Sequence, residues 1–279
     1  MFLHRSSGSI IFKRRTSTVT IMIALIIVPF FAMFVAFVSN MAGIGGGALL
    51  ALFFIYAIGL SSFSSSGLSL ITIATSSLIG SYSNIRNGFV NFNLFKLLLA
   101  TGLVGVLFGS LLSFLVPTEE FKQIFGFIPL TIGLFSLYFA INQRKFRKYI
   151  KPEKKFSSDI GFIGVIAGII SGFTGMGIGG ITGTYLIAVK KMHPKTIFST
   201  IILAMIVTSV FGGLLHIGAI RFQESTLIYM PLLVFGAVVG AFIGARVSSL
   251  TKSRDLRILQ SVVILSTGIL AISIYFFIS

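Results

Sequence analysis

The sequence has no cysteine among its 279 residues, which removes disulfides, thiolate catalysis and thiolate metal sites together. Acid is almost as scarce. Six Asp and Glu stand against 22 Lys and Arg. All six, Glu119, Glu120, Glu153, Asp159, Glu224 and Asp255, fall in connecting segments or at the edges of apolar runs. No carboxylate relay is therefore available inside a membrane span, which argues against a cation pump and against proton coupling through an intramembrane Asp or Glu. Charged residues of all kinds make up only 10% of the chain, whereas soluble domains carry about 25%.

What fills the chain instead is apolar, 55% hydrophobic with a mean hydropathy of +1.03. Apolar runs cover roughly 19–60, 66–83, 93–116, 121–140, 160–189, 196–216, 225–248 and 257–278. Hydrocarbon offers backbone groups no water, so spanning segments must be helices or a closed barrel. These runs reach about 20 residues and lack the alternation of barrel strands, so the chain reads as an all-α, polytopic membrane protein. The formal charge of +16 lies almost wholly between the runs. That placement marks cytoplasmic loops. No basic stretch is interleaved with stacking aromatics, so nucleic acid is not an expected partner.

The tail 1–18 carries Arg5, Lys13, Arg14 and Arg15 ahead of an apolar run from Val19. It resembles the first two regions of a signal peptide, but the run is too long and no A-x-A site follows, so a retained first span is expected. The connection 142–159 carries seven basic residues and divides the chain nearly in half. Its expected role is orientation, with anionic lipid headgroups as a second use.

The halves resemble each other. "GIGG" at Gly43–Gly46 recurs at Gly177–Gly180, an offset of 134; "NGFV" at 87–90 lies against "IGAI" at 217–220, an offset of 130; "VGVLFGSLLS" at 104–113 lies against "VGAFIGARVS" at 239–248, an offset of 135. Three blocks in one order indicate a tandem duplication, with a first transmembrane repeat at 19–141 and a second at 160–279. If each half holds a Gly-broken helix pair plus about three spans, it crosses an odd number of times and the repeats are inverted. Placing 142–159 inside also places Arg86, Lys96, Lys190 to Lys195 and Arg246 to Arg257 inside, 16 of the 22 basic residues. The basic N-terminal tail is the exception.

Gly43, Gly45, Gly46 and Gly47 fill four of five positions inside an apolar run, and "GMGIGG" at 175–180 answers them. Gly175, Gly177 and Gly180 formally satisfy G-x-G-x-x-G, but no strand-to-helix context or following acid accompanies them, and neither cluster has the Lys-Ser/Thr of a Walker loop. Close helix packing explains Gly105 with Gly109, and Gly236 with Gly240 and Gly244, at four-residue spacing. It explains the clusters less well, because adjacent glycines cannot share one face. A helix break remains. It would free amides and aim the positive ends of half-helices at mid-bilayer, which favours an anion.

Candidate contacts for such an anion are Asn40, Gly43, Gly45, Gly46 and Gly47 in the first repeat and Thr174, Gly177, Gly179 and Gly180 in the second, with Asn40 and Thr174 equivalent at offset 134. Asn40 could instead bond a neighbouring helix, and Thr174 its own backbone. Thr75 and Ser76, in the hydroxyl-rich stretch 72–84, could line a path or serve packing. Arg86 and Arg221, near equivalent loops, could draw anions to the two mouths. His216 suits proton coupling by its ordinary pKa, though a lone interfacial His is more often structural.

The chain resembles the sulfite exporter TauE/SafE family of membrane proteins. The resemblance runs over about residues 26–278 and rests on "AGIGGG" at 42–47, "SGFTGMGIGG" at 171–180, "NIRNGFVNF" at 84–92 and "LLHIGAIRF" at 214–222. It implies a multi-pass secondary transporter or permease of the cytoplasmic (inner) membrane that moves small anions, often sulfite, organosulfonates or related carboxylates. A passive anion channel would use the same parts. One departure is that no proline follows the first cluster in residues 48–60. No cofactor, metal or catalytic set is expected, and assembly into a homo-oligomer is compatible with such a chain.

Overall fold

A computed structural model describes residues 7–142, 158–219 and 222–278 of the chain. The elements are helical: α1 (Ser7–Ala42), α2 (Gly47–Phe53), α3 (Ser62–Arg86), α4 (Phe92–Leu115), α5 (Thr118–Phe125), α6 (Phe127–Ile141), α7 (Ser158–Thr174), α8 (Gly179–Ala188), α9 (Pro194–Ile217), α10 (Met230–Leu250) and α11 (Ser253–Ile278). Among the described residues seven spans are long and apolar enough to cross a membrane, α5 and α6 together counting as one. The protein is a multi-pass membrane protein. Local chemistry sets the starts of these helices. The Ser61 hydroxyl accepts from the Ser64 amide, Asn91 Oδ1 accepts from the Leu94 amide at 2.9 Å, and Pro194 opens α9 where no amide is required.

Two differences from the sequence reading have physical causes. The first member of the first broken pair is not short, because α1 runs unbroken over 36 residues through Pro29. The third span of the first half is itself divided at Gly126, where α11 crosses so closely that a Cβ would fall 2.6 Å from Ile272.

Small residues decide which helices meet. Gly236, Gly240 and Gly244 of α10 lie successively against the carbonyls of Pro29, Met33 and Phe37 in α1, and a methyl at any of them would overlap that oxygen. The two helices are therefore parallel and touch through backbone, as four-residue spacing of small residues permits. Gly105 and Gly109 of α4 stand in the same relation to Val165 and Ile169 of α7. The other large contacts are antiparallel. In α3 and α9, Gly67 meets His216 while Gly213 meets Ile71; in α6 and α11, Gly133 meets Leu265 while Gly268 meets Leu130. Each half thus lends a helix to the other, α4 to α7 and α10 to α1.

Both glycine-broken pairs are hairpins. Phe53 of α2 stacks on Phe31 of α1 with ring centroids 4.6 Å apart, and Val28, Leu50 and Phe54 share one buried cluster. The chain has turned back along α1. In the second half Lys190, just past α8, pairs at 2.7 Å with Asp159 at the start of α7, and the Tyr185 hydroxyl donates to the same carboxylate. Without a proline, α2 ends by widening into a π turn over Phe54–Ile58, closed by Gly59 at φ 77°.

Gly109→Ala and Gly240→Ala should each lower stability by roughly 1–3 kcal/mol through overpacking. Gly161→Ala, whose nearest neighbour would be an ordinary 3.5 Å away, should leave it unchanged or slightly raised. Residual monodisperse protein after heating in detergent, read by fluorescence-detected size exclusion, distinguishes the two.

Candidate functional site

The turns of the two hairpins meet. Gly43, Gly45, Gly175 and Gly177 have φ of 60°, 95°, 72° and 85°, and Gly46 has 66°, a left-handed conformation that glycine adopts without steric cost. A methyl on Gly47 would overlap the Gly175 carbonyl oxygen, and a methyl on Gly179 would overlap the Gly43 carbonyl oxygen. Gly45 lies against the Met176 carbonyl, and a Cβ on Gly177 would stand 3.2 Å from the Gly45 Cα. Residues 42–48 and 171–180 are all buried. Gly47 and Gly177 both touch Ile73, and Gly177 also touches Met205. Those two side chains sit halfway along α3 and α9, so the crossing lies at mid-depth in the bundle.

These reciprocal contacts relate the two halves in a different register from the one expected from the repeated letters. Gly43 answers Gly175 and Gly47 answers Gly179, an offset of 132 instead of the 134 given by the repeated letters "GIGG". Positive backbone angles define the equivalence, and the letters fall two residues out of phase with them. Asn40 is therefore equivalent to Gly172, and Thr174 to Ala42; the pairing of Asn40 with Thr174 does not hold.

Donors and acceptors are distributed unevenly around the crossing. The α2 and α8 bonds begin with Leu49 N to the Gly46 carbonyl and Thr182 N to the Ile178 carbonyl. The amides of Gly47 and Ala48, and of Gly179 and Gly180, precede those bonds and have no acceptor within their own helix. In the second hairpin two carbonyls are covered. Ser66 Oγ donates to the Phe173 carbonyl at 3.2 Å, and Ser69 Oγ reaches the Gly175 carbonyl at 2.8 Å. Neither serine was singled out from the sequence, although both lie in the hydroxyl-rich start of α3, "SFSSSGLS". The corresponding place beside Gly43 is filled by Phe198, 2.9 Å from where a Cβ would stand.

The remaining candidates scatter. Gly46 faces Val35 and Ser39 within its own hairpin, and Gly180 faces Ile264 of α11. Asn40 is buried; its Nδ2 donates to the Ala36 carbonyl at 3.0 Å, and its Oδ1 has no partner among the described residues and occupies the space left by Gly80. Thr174 Oγ1 donates to the Ile170 carbonyl at 2.7 Å and accepts from Met176 N. Thr75 and Ser76 lie just past Ile73 and donate to carbonyls of their own helix. Arg86 is exposed at the end of α3. His216 is buried at the opposite end, stacked on Phe63 at 4.4 Å, with Nδ1 donating to the Gly212 carbonyl at 2.8 Å. Arg221 lies outside the described residues.

Residues 28–271 match the family described as sulfite exporter TauE/SafE. The chain is 24% identical to the probable membrane transporter protein YjnA of Bacillus subtilis (strain 168), over 85% of this chain and 95% of that one. It is also 24% identical to the probable membrane transporter protein YdhB of the same organism, over 75% of this chain and 83% of that one. No solved structure matches. With the match extending from α1 to α11 and including both crossed hairpins, the chain belongs to the sulfite exporter TauE/SafE family of membrane transporters.

Proposed function

We propose that the protein is a secondary transporter that moves a small anion, such as sulfite, an organosulfonate or a related carboxylate, across the cell membrane by alternating access, without chemical change. The observation that carries this reading is the meeting of two helix breaks at mid-depth, with the amide ends of α2 and α8 on either side. Such ends favour negative charge, and broken helices in corresponding places of two repeats point to a transporter's central site.

The helix directions support inverted repeats. α1 is parallel to α10 and α4 to α7, whereas α3 and α9, and α6 and α11, are antiparallel. Lys195 at the start of α9 donates to the Ser249 carbonyl at the end of α10, so those two neighbours also run oppositely. Equivalent elements of the two halves then point in opposite directions throughout. Charge supports the orientation. Of the ten Lys and Arg with described side chains, nine lie at the end that holds Arg86, Lys195, Arg246 and Arg257, and only Lys122 lies at the other. That end is the cytoplasmic one by the positive-inside rule.

Backbone-to-backbone contact at the crossing favours a carrier over the alternative of a passive channel. The cavity beside Ile44, Gly46 and Met176 measures about 10 Å³, too little for a continuous water column.

Reconstituted into liposomes, the wild-type protein should move at least one of sulfite, sulfoacetate, sulfolactate, taurine or a small carboxylate against a gradient when a proton or ion gradient is imposed. Gly47→Ala and Gly179→Ala should each reduce that flux about tenfold or more, since each forces apart two main chains, while membrane insertion and the flux of Gly161→Ala stay normal. Unchanged flux in both crossing variants places the site elsewhere. Because the chain lacks cysteine, sidedness has a clean assay: in whole cells Glu120→Cys should react with an impermeant maleimide and Ser249→Cys should not. The reverse pattern overturns the orientation.

A further inference from the structure

A groove opens on the side of the bundle at the basic end, between α3, α9 and α10. It encloses about 790 Å³, and its walls include Leu78, Ile85, Leu203, Ile206 and Phe242. That is ample room for a ligand larger than the cargo proposed above. Leu78 and Phe242 are 58% and 51% exposed, and an exposed apolar side chain on a membrane span faces lipid.

Two cations stand over this apolar slot. Arg86 ends α3 and Arg246 lies one turn from the end of α10; both are exposed, both line the groove, and no Asp or Glu lines it. Leu78 precedes Arg86 by eight residues, about 12 Å along the helix at 1.5 Å per residue. Charge therefore sits at the membrane face and the apolar wall reaches into the hydrocarbon. The Arg246 guanidinium lies over the Phe242 ring, 4.4 Å from its centroid, a contact through the guanidinium face that leaves the N–H groups for another ligand. Arg86 makes no hydrogen bond, ion pair or ring contact with a described residue.

The packing of the helices does not require these cations. Gly240 rests on Met33 as Gly105 rests on Val165, so α1 and α7 are related at the offset of 132 seen at the crossing, and α10 and α4 at 135. In that register Arg246 answers Leu111 and Arg86 answers Gly218. The matching positions at the other end are uncharged.

Two guanidinium groups above an apolar slot suit an amphiphile. A small soluble anion would meet the charges and leave the wall unused, whereas an anionic phospholipid uses both: its phosphate accepts from the guanidinium forks and a chain covers the wall. Basic pockets between spans on the cytoplasmic side are a known setting for such headgroups. We infer that the groove binds one anionic phospholipid, with its phosphate between Arg86 and Arg246 and an acyl chain along Leu78, Leu203, Ile206 and Phe242. The leaflet, cytoplasmic, follows from the orientation proposed above; the binding itself does not depend on transport. The lipid joins the basic ends of α3 and α10, and α3 carries Ile73, which touches both Gly47 and Gly177.

The test is native mass spectrometry of the purified full-length protein, exchanged into detergent and mixed with dioleoyl phosphatidylglycerol or dioleoyl phosphatidylcholine. The wild type should retain one phosphatidylglycerol in clear preference to phosphatidylcholine. Arg86→Gln and Arg246→Gln should each weaken that retention about fivefold, and together about tenfold or more. Ile206→Trp, which fills the slot with both arginines in place, should weaken it several-fold. Lys96→Gln removes a cation at the same end but outside the groove and should change nothing. Equal retention of the two lipids, no retention of either, or as large a loss from Lys96→Gln as from Arg86→Gln overturns the site. Displacement of the lipid by excess glycerol 3-phosphate, which has a phosphate and no chains, overturns the lipid as occupant.

Discussion

The structure depends on a contact from which side chains are excluded. Gly47 touches the Gly175 carbonyl and Gly179 touches the Gly43 carbonyl, so two main chains cross at a distance that any Cβ would forbid. Inside a bilayer every peptide group at such a break must find a partner within the protein. The carbonyls of Phe173 and Gly175 find Ser66 and Ser69, whereas the first amides of α2 and α8 have none in their own helices. In the second hairpin the break is thus resolved at these two carbonyls, while the first amides of both short helices lack an acceptor in their own helix, and the proposed anion reading rests on that polarity.

Around this contact the halves hold each other by the same device repeated. α10 presses three glycines onto α1, and α4 presses two onto α7. Lipid tails are as apolar as leucine, so burial alone gives membrane helices little reason to associate, and close backbone approach supplies dispersion contacts instead. Each hairpin therefore packs on a full-length helix of the other half, and neither half is a self-contained unit.

Much of this could be read from the residues, and the limits are specific. Apolar runs locate the spans, and the glycine clusters locate the breaks because no single helix face can use adjacent glycines. The direction of the chain after each break could not be read: α2 returns along α1 through Phe31 and Phe53, a contact between residues 22 apart with no local signature. The register of the repeats failed by two residues because letters were matched where backbone angles decide. Ser66 and Ser69 were invisible as caps since their carbonyl partners lie more than 100 residues away.

Direct main-chain contact also has a mechanical result. Side chains cushion most helix interfaces, since rotamers can readjust while backbones stay still. Where Gly43, Gly45 and Gly47 rest on Gly175, Met176 and Gly179 there is no such slack. A tilt of one hairpin is delivered whole to its counterpart, like one arm of a seesaw lifting the other.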